Sequence, residues 1–182
     1  MLCLPEDIFW NRLEEEISEI RNHEDFEVEK KKDQEYVITI RAKGYELSSS
    51  IRNTPILKNS HKVKVIVPRE YPYEPPELHW MTPILHSNIC PPHESYKGIK
   101  GFVCIEGLNY YKPFSFNLVS LCESIRNIIE NPNPASTIPT KTPKKASDLI
   151  RKNILPSKDE PTIIYYGTNE SDSADLPTLI RG

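Results

Sequence analysis

Thr82-Pro83-Ile84-Leu85-His86-Ser87-Asn88 and, beyond a Pro- and His-containing loop, Gly101-Phe102-Val103-Cys104-Ile105-Glu106-Gly107 form the stretch around which the chain is organised. Read as chemistry, it holds a thiol nucleophile, Cys104, with an amide donor, Asn88, beside it. Cys104 lies between Val103 and Ile105 in an apolar extended segment bracketed by glycines, which free the backbone and leave room for a ligand. Taken alone, such a cysteine reads as a small core hydrophobe, because free Cys is among the most buried residue types. The rest of the chain decides between the two readings.

Upstream, Pro5-Glu6-Asp7 marks a helix start, since Pro is tolerated in the first turn and acids favour the positive end of the dipole. Phe9, Leu13, Ile17 and Ile20 then share a face while Glu14, Glu15 and Glu16 turn outward, which predicts an amphipathic helix over 6–22 with Trp10 at its border. Phe26 to Glu29 and Tyr36 to Arg41 alternate on either side of a polar turn, Lys30 to Asp33, whose lysines read as solvated. Gly44 to Ser60 reads as loop or a weakly specified edge strand. Val63, Val65 and Val67 mark a third strand that stops at Pro68. Tyr71-Pro72-Tyr73-Glu74-Pro75-Pro76 reads as an extended, polyproline-like path into a fourth strand, Glu77 to Met81, with Leu78 and Trp80 on one side.

Downstream, Leu118, Leu121, Cys122, Ile125, Ile128 and Ile129 recur at three- and four-residue steps, with Ser115 or Asn117 as cap. Cys122 falls on the buried stripe, and Asn131-Pro132-Asn133-Pro134 ends the helix. Pro143 to Ile154 reads as a short helix with Leu149 and Ile150 inside. The expected fold class is α+β: an N-terminal helix, a four-stranded antiparallel meander, a site-bearing loop, a central buried helix and a short C-terminal helix. One domain is expected over 1–155. From Pro156 the composition turns polar, which predicts a mobile tail over 156–182 broken by the apolar island Ile163-Ile164-Tyr165-Tyr166.

Composition narrows the function. A net charge of -3 with 27% charged residues lacks the electrostatic footprint of a nucleic-acid binder, so protein or small-molecule partners are expected. The apolar runs are far shorter than the roughly 20 residues needed to cross a bilayer, so no membrane partner is expected. Cys3, Cys90, Cys104 and Cys122 show no disulfide framework and no secretory signal precedes them, which suits reduced thiols in the cytoplasm.

Motif by motif and in order, the chain resembles the ubiquitin-conjugating enzyme family. Tyr71-Pro72-Tyr73-Glu74-Pro75-Pro76 is similar to that family's Tyr-Pro-Phe-x-Pro-Pro, and Thr82 to Asn88 to the segment carrying its His-Pro-Asn. Gly101-Phe102-Val103-Cys104-Ile105 is similar to the active-site Gly-x-Ile-Cys-Leu, Tyr111-Lys112-Pro113 to Trp-Ser-Pro, and Asn131-Pro132-Asn133-Pro134 to Asp-Pro-Asn-Pro. The resemblance implies that Cys104 accepts ubiquitin or a ubiquitin-like protein as a thioester from an activating enzyme and releases it to a protein lysine, alone or with a ligase. The attacking species is thiolate, and the thioester carbonyl stays reactive toward amines.

The resemblance assigns Asn88 to lowering the barrier at the developing oxyanion, or to fixing the loop that does so. It gives His86 a packing and hydrogen-bonding role, and Tyr111 and Ser136 supporting places around the site. It carries partner binding to the face with Arg12 and Glu15, to Tyr73, and to Pro113 and Phe114. The first helix is more acidic than is usual in the family, which predicts a partner with complementary basic residues. No cofactor or metal is implied, ATP being used by the upstream activating enzyme.

Four departures accompany the resemblance, one being Tyr111, which stands near the family's usual Trp at a spacing from Cys104 one residue shorter. Ser87 stands for the motif's Pro, which loosens the loop backbone. Ser136 stands where the family often has an acid. Asn88 and Cys104 are sixteen positions apart, a longer gap than is usual, so residues 90–100 form an insertion that borders the site, either to select partners or simply as an exposed loop. Three other readings stay open: a zinc set of His86, Cys90, His93 and Cys104, a non-catalytic conjugating-enzyme-like module that binds ubiquitin-like proteins or scaffolds a complex, and a cysteine hydrolase with His93 or His86 as base.

Overall fold

Helix α1 (Glu6–Asn22) follows Pro5 directly, with Glu6 and Asp7 in its first turn. In this computed structural model, which describes residues 2–47, 54–105 and 117–155, its predicted apolar face is buried through Phe9, Leu13, Ile17 and Ile20. Trp10 packs at the border, edge-on to Phe9. Glu16, expected to turn outward, is instead only 6% exposed. Its carboxylate is satisfied where it lies: Arg12 Nε donates to it at 2.7 Å, the Tyr71 hydroxyl at 2.6 Å and the Leu118 backbone N–H at 2.8 Å. A buried carboxylate persists only with such a set of donors.

Strands β1 (Phe26–Lys32) and β2 (Glu35–Ile40) form the expected hairpin, but β1 runs on through Lys30-Lys31-Lys32, with a register irregularity between Lys30 and Lys32. The lysines lie on an edge strand, where charge discourages pairing with another chain. Between Gly44 and Ser60, where loop or a weak edge strand was expected, β3 (Gly44–Leu47) and β4 (Pro55–Lys58) pair as a separate antiparallel ribbon. Strands β5 (His61–Ile66) and β6 (Glu77–Trp80) complete a four-stranded antiparallel sheet of order β1-β2-β5-β6.

Alternation sends Val63, Val65, Leu78 and Trp80 into the core, as their spacing predicts. The Tyr-Pro segment departs from its expected extended path: Tyr71 N–H bonds to the Pro68 carbonyl and Tyr73 N–H to the Glu70 carbonyl, closing turns, and the Tyr71–Pro72 peptide is cis. The turns bring the Tyr71 hydroxyl under α1.

Helix α2 (Leu118–Glu130) is capped by Asn117, whose Oδ1 accepts from the Ser120 N–H at 2.8 Å. Its stripe Leu118, Leu121, Cys122, Ile125 and Ile129 is buried against the sheet and α1. Burial pushes the Cys122 thiol up to about 12, which keeps it inert. A 3-10 turn (Pro134–Ser136) follows, and α3 (Lys141–Arg151) buries Ile150 and half-buries Leu149. A second apolar cluster, Leu85, Ala146, Ile150 and Leu155, ties α3 to the stretch leading to Asn88. No helix among the described residues is long and apolar enough to cross a membrane. The expected tail over 156–182 lies outside the described residues.

Candidate active site

Asn88 and Cys104 are sixteen positions apart in the chain, yet the backbone brings them side by side. Ile89 and Val103 form an antiparallel bridge. Cys104 N–H donates to the Asn88 carbonyl and Cys90 N–H to the Phe102 carbonyl, both at 2.8 Å. In this pattern Asn88 stands directly opposite Cys104, where paired residues hold their Cβ atoms about 4.5–5.5 Å apart. The insertion leaves this pairing intact because it departs and returns on neighbouring strands.

The two faces of the bridge differ. Ile89 and Val103 belong to the apolar core. By alternation Asn88, Cys90, Phe102 and Cys104 take the other face, toward the 133–142 segment. Contacts agree: Asn88 reaches Asn133 and Ser136, and Cys90 Sγ lies 3.5 Å from Thr140 Oγ1. Cys104 is half-exposed, while Cys90 is fully buried.

The Asn88 side chain is committed at both ends. Its Nδ2 donates to the carbonyls of Asn133 at 3.1 Å and Ser136 at 2.8 Å, and its Oδ1 accepts from the Asn133 N–H at 2.8 Å. Of the two roles open to Asn88, donor to an oxyanion or clamp of the loop, this geometry is that of the clamp. Ser136, which stands where the family often has an acid, is held through its backbone carbonyl.

His86 supports the same loop from behind. Its Nδ1 accepts from the Asn88 backbone N–H at 3.0 Å, so Nε2 carries the proton and donates to the Ile128 carbonyl at 2.8 Å. Burial lowers its pKa from 6.5 to about 4, leaving a neutral ring with both nitrogens engaged. Ser87, where the loop was expected to loosen, is fully buried, and its carbonyl accepts from the Ile138 N–H at 3.0 Å. Tertiary hydrogen bonding there replaces the ring constraint of a proline.

The insertion folds into a small hairpin, β7 (Ser95–Tyr96) and β8 (Ile99–Lys100). Gly101 docks it on the sheet: its carbonyl accepts from the Trp80 N–H at 2.7 Å, its φ is +63°, and an added Cβ would meet the Trp80 carbonyl oxygen at 2.3 Å. Glu94 fastens the other side. Its carboxylate accepts from the Thr142 N–H at 3.0 Å and the Thr142 hydroxyl at 2.5 Å, at the N-terminus of α3. Burial alone would raise the Glu94 pKa, but hydrogen bonds from Thr142 and Thr140 outweigh it and the net shift is downward.

The proposed zinc set does not assemble. Both His86 nitrogens are committed, the His93 side chain is 74% exposed, and no group of three or more His, Cys, Asp or Glu among the described residues converges. Tyr111, Pro113 and Phe114 lie outside the described residues. Arg12 is half-buried and turned to Glu16, with its guanidinium 5.3 Å from the Tyr71 ring centroid; Glu15 is exposed and Tyr73 half-buried. Sequence reasoning missed Glu16 and Glu94. The i,i+4 spacing of Arg12 and Glu16 was a signal for the first; nothing local marks the second, whose partner is 48 residues away.

The architecture is the one found in solved ubiquitin-conjugating enzymes. A Toxoplasma gondii ubiquitin conjugating enzyme E2 domain superposes with a TM-score of 0.51 at 19% identity, covering 79% of this chain and 87% of that one. A Plasmodium yoelii crystal structure assigned to the same enzymes gives 0.57 at 18% identity, covering 82% and 86%. In sequence, human ubiquitin-conjugating enzyme E2 T is 34% identical over 87 residues, 45% of this chain and 40% of that protein. The Dictyostelium discoideum ubiquitin conjugating enzyme E2 B is 28% identical over 88 residues, 48% of this chain and 54% of that protein. The chain thus matches about half or less of the length of these curated relatives. The family model for ubiquitin-conjugating enzymes matches residues 12–153, and the chain belongs to that family.

Proposed function

We propose that the protein is a ubiquitin-conjugating-type transferase working through a thioester on Cys104. The Cys104 thiolate attacks the carbonyl of a modifier held as a thioester on an activating enzyme, and the activating enzyme's thiolate leaves. A lysine amine of a protein substrate then attacks the new thioester, loses a proton, and expels the Cys104 thiolate. The modifier is ubiquitin or a ubiquitin-like protein, ATP is consumed upstream, and a ligase assists the second step. The observation that carries this reading is the half-exposed Cys104 directly opposite Asn88, whose side chain clamps the 133–136 turn.

Asn88 acts here by holding the turn rather than by direct donation. With Ser136 uncharged, the incoming amine is activated chiefly by desolvation, which disfavours a lysine's positive charge. Partners meet the face bearing Arg12 and Glu15 together with Tyr73, Pro113 and Phe114. A reducing compartment, the cytoplasm, keeps the thiol competent.

Incubation with an activating enzyme, ATP and candidate modifiers tests the reading: wild type forms a reductant-sensitive adduct and Cys104→Ala forms none. An adduct that survives Cys104→Ala contradicts it. The uncharged Ser136 favours a second reading, a module that binds the modifier without carrying it. That reading is selected by modifier binding with no adduct under any pairing of activating enzyme and modifier.

A further inference from the structure

The antiparallel pair that sets Asn88 opposite Cys104 also places a second thiol on the same face. Cys90 is opposite Phe102, so Cys90 and Cys104 are diagonal neighbours across the two strands. The Cys90 side chain meets Thr140 of the 133–142 segment, and strand alternation puts Cys104 on the same face as Cys90. Diagonal neighbours have Cα atoms about 7–8 Å apart. A disulfide takes Cα separations up to about 6.8 Å, so an approach of roughly an ångström closes the bond. Burial holds the Cys90 thiol above its ordinary range, against a lowering hydrogen bond with Thr140, and the charges of Glu94 and then Cys104 add to the rise. The other two cysteines are elsewhere: Cys122 is buried in α2 and Cys3 precedes α1.

We propose that Cys90 is a resolving thiol for Cys104, and that a hydroperoxide closes a reversible Cys90–Cys104 disulfide. The exposures assign the order of events. The half-exposed Cys104 thiolate attacks the peroxide, the O–O bond breaks, and the departing alkoxide or hydroxide takes a proton, leaving a sulfenic acid on Cys104. The buried Cys90 sulfur then attacks the sulfenic sulfur. The S–S bond forms, the S–O bond breaks, and hydroxide leaves with the Cys90 proton as water. Two thiols are oxidised by two electrons in total, and one hydroperoxide is reduced to an alcohol or water plus a second water. Without Cys90, a second hydroperoxide transfers an oxygen to the sulfenic acid and leaves as alcohol or water, giving a sulfinic acid that a thiol reductant does not reverse. The consequence for modifier transfer rests on the acyl-transfer reading above; the cross-link itself does not.

The full chain is treated with hydrogen peroxide under native conditions, digested without reduction and mapped by mass spectrometry, beside Cys90→Ser and Cys90→Ala. Circular dichroism checks that both variants fold. The expected result for wild type is a peptide joining Cys90 to Cys104, lighter by two hydrogens and released by dithiothreitol. In both variants Cys104 instead gains two oxygens, and reductant does not restore its thiol. Equal sulfinic formation at Cys104 in wild type and variants overturns the proposal, as does a wild-type link from Cys104 to Cys3 or Cys122. Because the readout is the bond itself, its failure is distinct from a failure to form a modifier adduct.

Discussion

Two buried polar side chains each tie distant parts of the chain together, and they do so with opposite chemistry. Glu16 is charged, gathers Arg12, Tyr71 and the Leu118 N–H, and joins α1 to α2 and the Tyr-Pro turn. Asn88 is neutral, gathers both ends of the 133–136 turn, and joins that turn to the strand opposite Cys104. A carboxylate accepts only, so it serves where three donors converge. A primary amide donates and accepts at once, so it serves where a turn presents two carbonyls and an N–H. The first holds the fold; the second holds the site.

Glu16→Ala should break that contrast hardest. It leaves the buried Leu118 N–H without its acceptor and removes the carboxylate that Arg12 and the Tyr71 hydroxyl share, at a cost of about 3–5 kcal/mol of unfolding free energy, read by urea denaturation. Whatever folds at low temperature should still form the Cys104 adduct.

Acid comes next, through His86. Its folded pKa is depressed from 6.5 to about 4, so below 6.5 the unfolded chain binds the proton that the folded chain refuses. The stability that the neutral ring contributes is complete above pH 6.5 and declines as pH falls toward 4, by up to about 1.4 kcal/mol per unit. His86→Gln should flatten that part of a pH titration of stability; an unchanged slope contradicts the assignment.

Asn88→Ala should cost less stability, about 1–3 kcal/mol for the groups it leaves unpaired, but should slow discharge to lysine more than Glu16→Ala does. Asn88→Asp sharpens the point, because it keeps the acceptor for Asn133 N–H and loses both donors. Discharge as fast as wild type in Asn88→Asp contradicts the clamp. The smallest effect is expected from Glu94→Gln, about 0.3–1 kcal/mol for loss of a carboxylate at the α3 N-terminus. Faster hydrogen exchange should then be confined to the insertion hairpin and the start of α3.

Periodicity made the helices and the sheet legible: α1 and α2 have apolar stripes with capping or first-turn signals, and β5 and β6 alternate cleanly. The ribbon β3–β4 was not legible, because its strands are only half-buried and carry no alternation. The turns after Pro68 were not legible either, because backbone hydrogen bonds, not local preference, set them. At the site, Cys104 and Asn88 were legible as residue types, and their adjacency was not, since a backbone bridge across an insertion leaves no local mark. Glu16 shows the limit most plainly: two exposed acids precede it, and only the turn carrying Tyr71 and the start of α2 explain why it points inward.

The most direct test of the central claim is the chemistry of the modifier bond. Wild type and Cys104→Ser are each charged with an activating enzyme, ATP and the modifier, and the adducts are challenged with reductant. A bond on residue 104 predicts a thioester lost to reductant in wild type and an oxyester that resists it in Cys104→Ser. Equal resistance in both, or equal lability, contradicts the account.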